Sequence, residues 1–180
     1  MREEAELIRR VVEGDVDGFR LLVERYQRPV FLLVRNLVPN RHTCEDIAQD
    51  VFLTAFHQLR AFDPTRAAFL TWLLTIARNK CFNVLKKKTP SPGGEAFERI
   101  SFRTPFDEAA ERELFERLDE ALETLPAAQR SAFVLAEFVG LSCDQIAGIE
   151  GVAGATVRSR VSRAKERLRS LLRPFARDHP

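Results

Sequence analysis

The segment LSCDQIAGIEGVAGATVRSRVSRAKERL, residues 141–168, predicts the helical arrangement of the last part of the chain. Ser142, with Gln145 three residues later, predicts a capping box at the start of a short helix. A turn at residues 150–152 contains a glycine, and a longer helix is predicted over about Ala153–Leu172. A short helix, a glycine-containing turn and a longer helix form the pattern of a helix-turn-helix.

The longer helix has one apolar and one polar face. Its apolar residues fall within one arc and are expected to face the core: Val157, Val161, Ala164 and Leu168. The opposite side and its flanks carry hydroxyl groups and cations, at Thr156, Arg158, Ser159, Arg160, Ser162, Arg163, Lys165 and Arg167. Arginine can donate two hydrogen bonds to the edge of a guanine, and flanking cations can fix the register on the phosphates. This face predicts binding in the DNA major groove, whereas a helix pair without one more often only packs.

Positive charge is concentrated in two stretches of a nearly neutral chain. Residues 61–88 hold six Lys and Arg against one acidic residue, and residues 153–180 hold eight against two. Two basic helices are suited to binding a long polyanion. The alternative is that these residues only form the solvated surface of their helices. The hydrophobic content of 45% excludes wholesale disorder.

The first 88 residues show helical periodicity in three segments. Apolar residues recur at three- and four-residue steps over residues 19–38, where Pro29 is expected to kink or split the helix. Thr43 with Asp46 resembles a capping box and predicts the start of a second helix. A long helix follows from Phe69 and ends in a run of lysines. Strand-like alternation is nowhere sustained, so we predict an all-α chain.

The segment over residues 89–105 contains prolines and two adjacent glycines without sustained periodicity, which predicts a flexible linker. We therefore predict two small helical domains, of which the second contains the helix-turn-helix. The predicted boundaries are residues 1–88 for the first domain, 89–107 for the linker and 108–180 for the second domain.

Aromatic rings and polar side chains come together around the long helix. The rings are Phe62, Phe69 and Trp72, and the polar residues that follow are Arg78, Asn79, Lys80, Asn83 and Lys86 to Lys88. Such a combination could hold an unpaired nucleic-acid strand, because rings stack on bases and cations follow the backbone. Phe69 and Trp72 also lie on the apolar face, which favours core packing for both. Asn79 and Asn83 have no such packing explanation.

These features together resemble the bacterial sigma factors, in particular the small extracytoplasmic-function (ECF) group of the sigma-70 family. The resemblance runs from about Ile8 to Leu172. It rests on FRLLVERYQRPVF (19–31), CEDIAQDVFLTAF (44–56), FDPTRAAFLTWLLTIARNKCFNVL (62–85), LPAAQRSAFVLAEFVGLSCDQIA (125–147) and TVRSRVSRAKERL (156–168). It implies that the first domain holds core RNA polymerase and helps to melt the promoter −10 element, and that the second recognises the −35 element.

The resemblance also assigns candidate residues. Those expected to bind core polymerase are Glu45, Asp46, Gln49, Asp50 and Phe52. Those expected to contact the −10 element, with the loop over residues 62–68 holding a flipped base, are Phe62, Asp63, Arg66, Arg78, Asn79, Asn83 and Lys86. Those expected to contact the duplex −35 element are Thr156, Arg158, Ser159, Arg160, Arg163 and Arg167. The resemblance further implies an anti-sigma partner.

Two segments depart from the family pattern. Residues 152–156 are Val-Ala-Gly-Ala-Thr where the family commonly has Val-Pro-x-Gly-Thr, so the turn before the last helix is expected to differ. Residues 66–68 are Arg-Ala-Ala where the family often has Arg-Gly and a small residue, so the −10 loop is expected to change shape.

No catalytic or metal-binding pattern is present. The three histidines are His42, His57 and His179, and the three cysteines are Cys44, Cys81 and Cys143. Cys44 lies two residues from His42, but such residues point in different directions on a helix. There is no glycine-rich phosphate loop and no HExxH motif. We therefore expect buried thiols, a non-enzyme and no cofactor or metal.

The opening MREEAELIRR has charges where a signal peptide has its apolar segment, and no apolar run approaches the roughly 20 residues of a membrane-spanning helix. A cytoplasmic protein is expected.

Two alternative functions remain open at this stage. A helix-turn-helix regulator would bind operator DNA without polymerase and show two-fold half-site spacing. A helical adaptor that docks only proteins would show no salt-dependent affinity for DNA.

Overall fold

Eight α-helices account for most of the part of the chain that the computed structural model describes, residues 2–38, 40–87 and 117–173. They are α1 (Arg2–Val12), α2 (Val16–Leu37), α3 (Arg41–Gln58), α4 (Phe69–Lys87), α5 (residues 117–123), α6 (Ala127–Phe133), α7 (Cys143–Glu150) and α8 (Gly154–Leu172). A 3₁₀ turn at Leu59–Ala61 follows α3, and a π-helical turn at Val134–Phe138 follows α6. No strand occurs among these residues, and the predicted all-α class is confirmed.

Helices α1 to α4 form the first helical group. Helix α2 packs against α1, α3 and α4, and α3 also packs against α4. Gly18 permits the close approach of α1, since a Cβ atom there would lie 3.0 Å from Val11 Cγ2. The side chains that are fully buried in this group include Leu22, Val30, Leu33, Leu37, Phe69, Leu73 and Leu74.

Pro29 lies inside α2 and does not divide it, so of the two predicted effects a split helix is wrong. Leu22 and Val30 are fully buried on either side of the proline. Burial of this apolar face holds the helix together across the hydrogen bond that proline cannot donate.

Helix α3 begins before the predicted position. Asn40 is its N-cap, and the Asn40 Oδ1 atom accepts hydrogen bonds from the Thr43 backbone N–H at 3.0 Å and from Thr43 Oγ1 at 3.2 Å. The predicted Thr43 and Asp46 capping box is therefore wrong. Asparagine caps helices at least as well as threonine, and here it captures the free amide of the first turn.

Helices α5 to α8 form the second helical group. Here α8 packs against α6 and α7. The predicted capping box of α7 is confirmed, because Ser142 Oγ accepts from the Gln145 N–H at 3.3 Å and Gln145 Oε1 accepts from the Ser142 N–H at 2.9 Å. Gly151 ends α7 at φ +64°, a conformation that favours glycine. Ala153 is the N-cap of α8, as predicted to within a residue.

The two helical groups pack against each other. Helix α6 contacts α2, and α7 contacts α4. One cluster of buried apolar residues continues from the first group into the second, where it includes Val134, Leu135, Ile146 and Ile149. Arg35 of α2 also donates to Asp119 of α5 at 2.5 Å. The predicted linker lies outside the described residues, and the domain boundaries stay a prediction.

Candidate nucleic-acid interface

Helix α8 presents an exposed polar face on a buried apolar base. Val157 and Ala164 are completely buried and Leu168 is buried, as predicted from their common arc, whereas Val161 is half-buried. The exposed predicted −35 contacts are Thr156, Arg158, Ser159, Arg163 and Arg167. Arg167 Nε also donates to Thr124 Oγ1 at 3.3 Å. The packing of α8 therefore leaves guanidinium and hydroxyl groups free to meet a DNA groove.

The altered turn before α8 is compatible with a regular helix. Ala155, which stands where the family commonly has glycine, is exposed inside the first turn of α8. A methyl group in solvent at a helical position imposes no strain, so the helix starts at Gly154 despite the departure.

Arg160 differs from the other predicted −35 contacts because it is already paired. Its side chain is half-buried, and Nη1 donates to Glu150 Oε2 at 2.5 Å. Glu150 is the last residue of α7, and its side chain has no exposed surface. Nothing in the sequence pattern indicated a buried carboxylate at this position.

The loop between α3 and α4 has a hydrogen-bonded turn on an aromatic base. Asp63 Oδ1 accepts from the Thr65 Oγ1 at 2.6 Å and from the Thr65 N–H at 2.9 Å, and these bonds lower the pKa of the Asp63 carboxyl. The Phe62 ring lies 5.4 Å from Phe69 and 5.2 Å from Trp72, measured between centroids. Arg66 is exposed on this loop. Asp63 thus shapes the loop, and Arg66 is the cation it presents.

Phe69 is almost completely buried, as expected of a core residue, and Trp72 is half-buried. The ring that remains at the loop itself is Phe62, which is also half-buried. Aromatic surface is therefore available to a base at Phe62 and Trp72 rather than at Phe69.

Further along α4, the predicted −10 contacts divide into two kinds. Asn79, Asn83 and Lys86 are exposed. Arg78 is mostly buried, with 16% of its side chain exposed, and its guanidinium carbon lies 4.3 Å above the Phe82 ring. Asn79 lies ten positions after Phe69, the first residue of α4, or about 15 Å along the helix axis, so the loop before α4 and the amides on it are two separate candidate subsites.

The predicted polymerase surface lies on α3. Asp46 and Gln49 are exposed, Glu45 pairs with Arg41 Nε at 3.1 Å, and Asp50 pairs with Lys80 Nζ at 2.5 Å. The structure therefore brings four of the five predicted residues to an accessible polar surface.

An exposed apolar residue that the sequence analysis did not name lies next to this polar surface. Phe52 is half-buried and packs against the core, whereas Leu53 is 58% exposed. Leu53 lies four residues after Gln49 and three after Asp50, the spacing of one helical face. That spacing could have identified it.

Two of the three cysteines are buried as expected, and the prediction of a buried thiol is wrong for Cys143. Cys44 and Cys81 are buried, and Cys44 Sγ donates to the Val38 carbonyl oxygen at 3.0 Å. Burial raises the pKa of the Cys44 thiol to about 11 and that of Cys81 to about 12, so both are protonated at neutral pH. Cys143 is half-buried.

These thiols should therefore differ in their reaction with iodoacetamide at pH 8. We expect the folded protein to be alkylated first at Cys143, and Cys44 and Cys81 to react only after denaturant is added, because the reactive species is the thiolate. Peptide mass spectrometry at timed intervals would measure each site. Fast labelling of Cys44 or Cys81 in folded protein would contradict the assignment.

Two further properties follow from the described residues. No group of three His, Cys, Asp or Glu side chains among them is placed to hold a metal ion. None of the helices seen in the described ranges has the length and apolar character needed to cross a membrane.

Two family descriptions match the chain. Residues 22–90 match Sigma-70 region 2, and residues 115–168 match Sigma-70, region 4. Among similar proteins, the ECF RNA polymerase sigma-E factor of Escherichia coli K12 is 35% identical over 183 residues, which cover 95% of each chain. The RNA polymerase sigma-H factor of Pseudomonas aeruginosa is 31% identical over 188 residues, covering 98% of this chain and 97% of the relative.

Similar solved structures extend the comparison to the fold. The structure of CnrH in complex with the cytosolic domain of CnrY has a TM-score of 0.71 and 27% identity, covering 93% of this chain and 96% of that chain. The structure of the sigma factor RpoE in complex with the anti-sigma factor NepR from Bartonella quintana has a TM-score of 0.75 and 26% identity. The match covers 88% of this chain and 98% of that chain.

Proposed function

The chain belongs to the ECF group of the sigma-70 family, and we propose that it divides promoter recognition between the exposed face of α8 and the loop and outer face of α4. As a sigma factor it directs RNA polymerase to promoters and acts in transcription initiation. Membership in this family replaces the two alternatives, a regulator that binds operators alone and a protein-only adaptor.

The α8 face is proposed to bind the duplex −35 element. The observation that carries this proposal is the separation of the two sides of α8, in which Val157 and Ala164 are buried and Arg158, Ser159 and Arg163 are exposed. A recognition helix needs this division, since its packed side fixes the orientation in which the other side enters the groove. Arg163 can bond two acceptors of a guanine, and Thr156 and Arg167 suit phosphate contacts.

The loop over residues 62–68 and the amides of α4 are proposed to hold the opened −10 strand. Phe62 and Trp72 offer ring surface, Arg66 is an exposed cation, and Asn79 and Asn83 can bond base edges. The loop precedes α4, and Asn79 lies about 15 Å along the helix axis from its first residue, so the two subsites can contact several successive nucleotides of one strand. Lys86 extends the cationic surface at the end of the helix.

The exposed side of α3 is proposed to dock on core polymerase through Asp46, Gln49 and Leu53. We expect Leu53→Ala to weaken core binding by about 1–2 kcal/mol, because it removes apolar area that docking would bury. Binding of labelled protein to purified core polymerase would measure the change. Leu171→Ala is the matched control, since Leu171 is 46% exposed on α8 and has no part in this surface. Equal affinities for the two variants would remove Leu53 from the docking surface.

The chain is proposed to be a non-catalytic subunit that works in the cytoplasm and to have an anti-sigma partner. Two proteins of similar structure, CnrH and RpoE, are in complex with the cytosolic domain of CnrY and with the anti-sigma factor NepR, respectively, which supports such a partner. Nucleotide addition is left to the polymerase, and the surfaces of α3, α4 and α8 are proposed only to bind polymerase and to position promoter DNA.

In vitro transcription tests the proposed function. Purified protein and bacterial core RNA polymerase are incubated with genomic fragments, and transcripts that core alone does not make are mapped. We expect promoter-specific transcripts whose start sites share −35 and −10 motifs. Absence of such transcripts with active core would contradict the proposal. If the native chain makes them, Asn79→Ala and Asn83→Ala should lower their yield and leave binding of the duplex −35 element unchanged.

A further inference from the structure

Gly154 leaves an open space at the start of α8, and two opposite charges border that space. A Cβ atom at this position would lie 3.2 Å from Asp144 Oδ1 and 3.7 Å from Arg158 Nη1. Asp144 belongs to the first turn of α7, and Gly154 is the first residue of α8. The turn between the two helices thus brings a carboxylate of α7 beside the first turn of the proposed recognition helix.

Arg158 reaches this space because of its position on α8. It lies four residues after Gly154, so the two residues share one helical face, and the side chains of a helix lean toward its N-terminus. Arg158 and Asp144 are both exposed. In a helix-turn-helix, the first residues of the recognition helix contact the base edges. The carboxylate of α7 therefore lies on the part of the surface where base contacts are expected.

The open space exists because this chain departs from the family pattern. Residues 152–156 are Val-Ala-Gly-Ala-Thr, so the glycine stands at position 154 rather than at 155. The backbone does not require glycine there, because Gly154 lies within a helix and lacks the positive φ of Gly151. Any other residue would place a Cβ atom 3.2 Å from the Asp144 carboxylate, closer than ordinary van der Waals contact. What glycine provides at this position is room for the carboxylate.

A purely structural role for Asp144 is the alternative. Ala153 is the N-cap of α8, and its side chain accepts no hydrogen bond from the amides of the first turn. The Asp144 carboxylate lies next to this end of the helix, where negative charge is favourable. Stabilisation of this kind would support the binding of α8 to every DNA sequence alike.

A carboxylate at this place also opposes DNA binding, because the phosphates that line the groove repel it. Its attraction for Arg158 increases when DNA displaces water from between the two groups, since the effective dielectric constant falls. A guanidinium has enough N–H donors to bond a carboxylate and both acceptors of a guanine together. Asp144 can therefore fix the direction in which Arg158 approaches a base.

We propose that Asp144 is a positioning residue for Arg158, which holds the guanidinium against a guanine of the −35 element and so increases selectivity for that base. The inference rests on the proposed function, which assigns Arg158 to the −35 element. It deepens that function, because the α7 carboxylate raises selectivity at one base pair while it lowers the affinity for DNA in general. A residue that only stabilised α8 would instead raise the affinity for all sequences.

Competition binding of holoenzyme tests the proposal. Holoenzyme is formed from the full chain and core polymerase, and a labelled promoter competes with promoters that carry single substitutions in the −35 element. Arg158→Ala identifies the base pair that Arg158 reads, as the position where preference is lost. We expect Asp144→Ala to lower the preference for guanine at that position at least about threefold, and to bind the other bases there at least as tightly as the native chain. Unchanged preference, or equal weakening for all promoters, would overturn the proposal.

Glu166→Ala is the matched control. Glu166 is an exposed acid of α8, twelve residues or about 18 Å along the helix from Gly154, so its replacement removes the same charge away from Arg158. We expect this variant to bind all promoters slightly more tightly and to keep the preference at the position that Arg158 reads. A loss of guanine preference equal to that of Asp144→Ala would show an effect of net charge and would overturn the proposal.

Gly154→Val tests the open space while Asp144 is kept. The added side chain displaces the carboxylate, so we expect the guanine preference to fall, and no further fall when the same change is made in Asp144→Ala. Gly148→Val is the control, since a Cβ atom at Gly148 of α7 would meet nothing within 4 Å. Equal preferences in the two valine variants, or a further fall in the Asp144→Ala background, would count against the proposal.

A double variant separates the inference from the proposed function. In Arg158→Ala, the further change Asp144→Ala should leave the base preference unchanged, because no guanidinium remains to be positioned. A further loss would mean that Asp144 acts without Arg158, against the proposal. A native holoenzyme without any −35 preference would contradict the proposed function, whereas native preference that Asp144→Ala does not alter would contradict this inference alone.

Discussion

Replacement of Arg163 by alanine is expected to weaken recognition of the −35 element by about 1–3 kcal/mol, which corresponds to a roughly 5- to 150-fold loss of affinity. Arg163 is exposed on α8 on the side away from buried Val157 and Ala164. Its guanidinium can form two hydrogen bonds with one guanine, and alanine forms none. Competition binding of holoenzyme to promoters with single −35 substitutions measures the change. The loss should be confined to promoters that carry the preferred base pair.

Arg169→Ala is the control for this prediction. Arg169 is exposed on the same helix and carries the same charge, but six residues place it about 120° around the helix from Arg163. Arg169→Ala should lower the affinity for every promoter sequence slightly and to the same extent, because it removes only a general attraction to phosphates. If Arg163→Ala left the −35 preference unchanged, or matched Arg169→Ala, Arg163 would not be a base contact.

The helical architecture could be predicted because it rests on local patterns. In α2, α4 and α8, apolar residues recur every three or four positions over several turns, a spacing that places them on one face of a helix. The capping box of α7 is defined by two residues three positions apart, Ser142 and Gln145, and it formed as expected. Such patterns depend only on residues that are close in sequence, so they can be recognised without knowledge of the tertiary packing.

Errors arose where a local signal did not decide the outcome. Thr43 with Asp46 was the predicted cap of α3, and the structure uses Asn40, three residues earlier. Pro29 usually breaks a helix, but the buried face that includes Leu22 and Val30 maintains α2 across it. For Pro29 the outcome depends on the burial of this apolar face, a property of the folded chain.

The burial and ion pairing of individual site residues could not be predicted, because both depend on the tertiary packing. A glutamate at the end of a short helix is ordinarily solvated, yet Glu150 is buried because α4 covers it. Arg78 and Arg160 lie far apart in sequence and meet the same carboxylate only through this packing. Leu53 is exposed for the opposite reason, since no described helix covers its side of α3.

Leu73→Ala is expected to lower the free energy of unfolding by about 2–5 kcal/mol, the largest effect on stability predicted here. Leu73 has no exposed surface on α4, and its truncation leaves a cavity that the packed neighbours fill only partly. Chemical denaturation followed by circular dichroism measures the change. The outer face of α4 carries Asn79 and Asn83, so this loss should also weaken promoter opening.

Leu53→Ala makes the same chemical change on the neighbouring helix and should have the opposite pattern of effects. Leu53 is 58% exposed, so we expect its truncation to change the unfolding free energy by less than about 0.5 kcal/mol. Its effect should fall on polymerase binding, whereas Leu73→Ala should leave the affinity of the molecules that remain folded unchanged. A stability loss for Leu53→Ala as large as that for Leu73→Ala would mean that Leu53 is covered in solution, and its place on the docking surface would then be wrong.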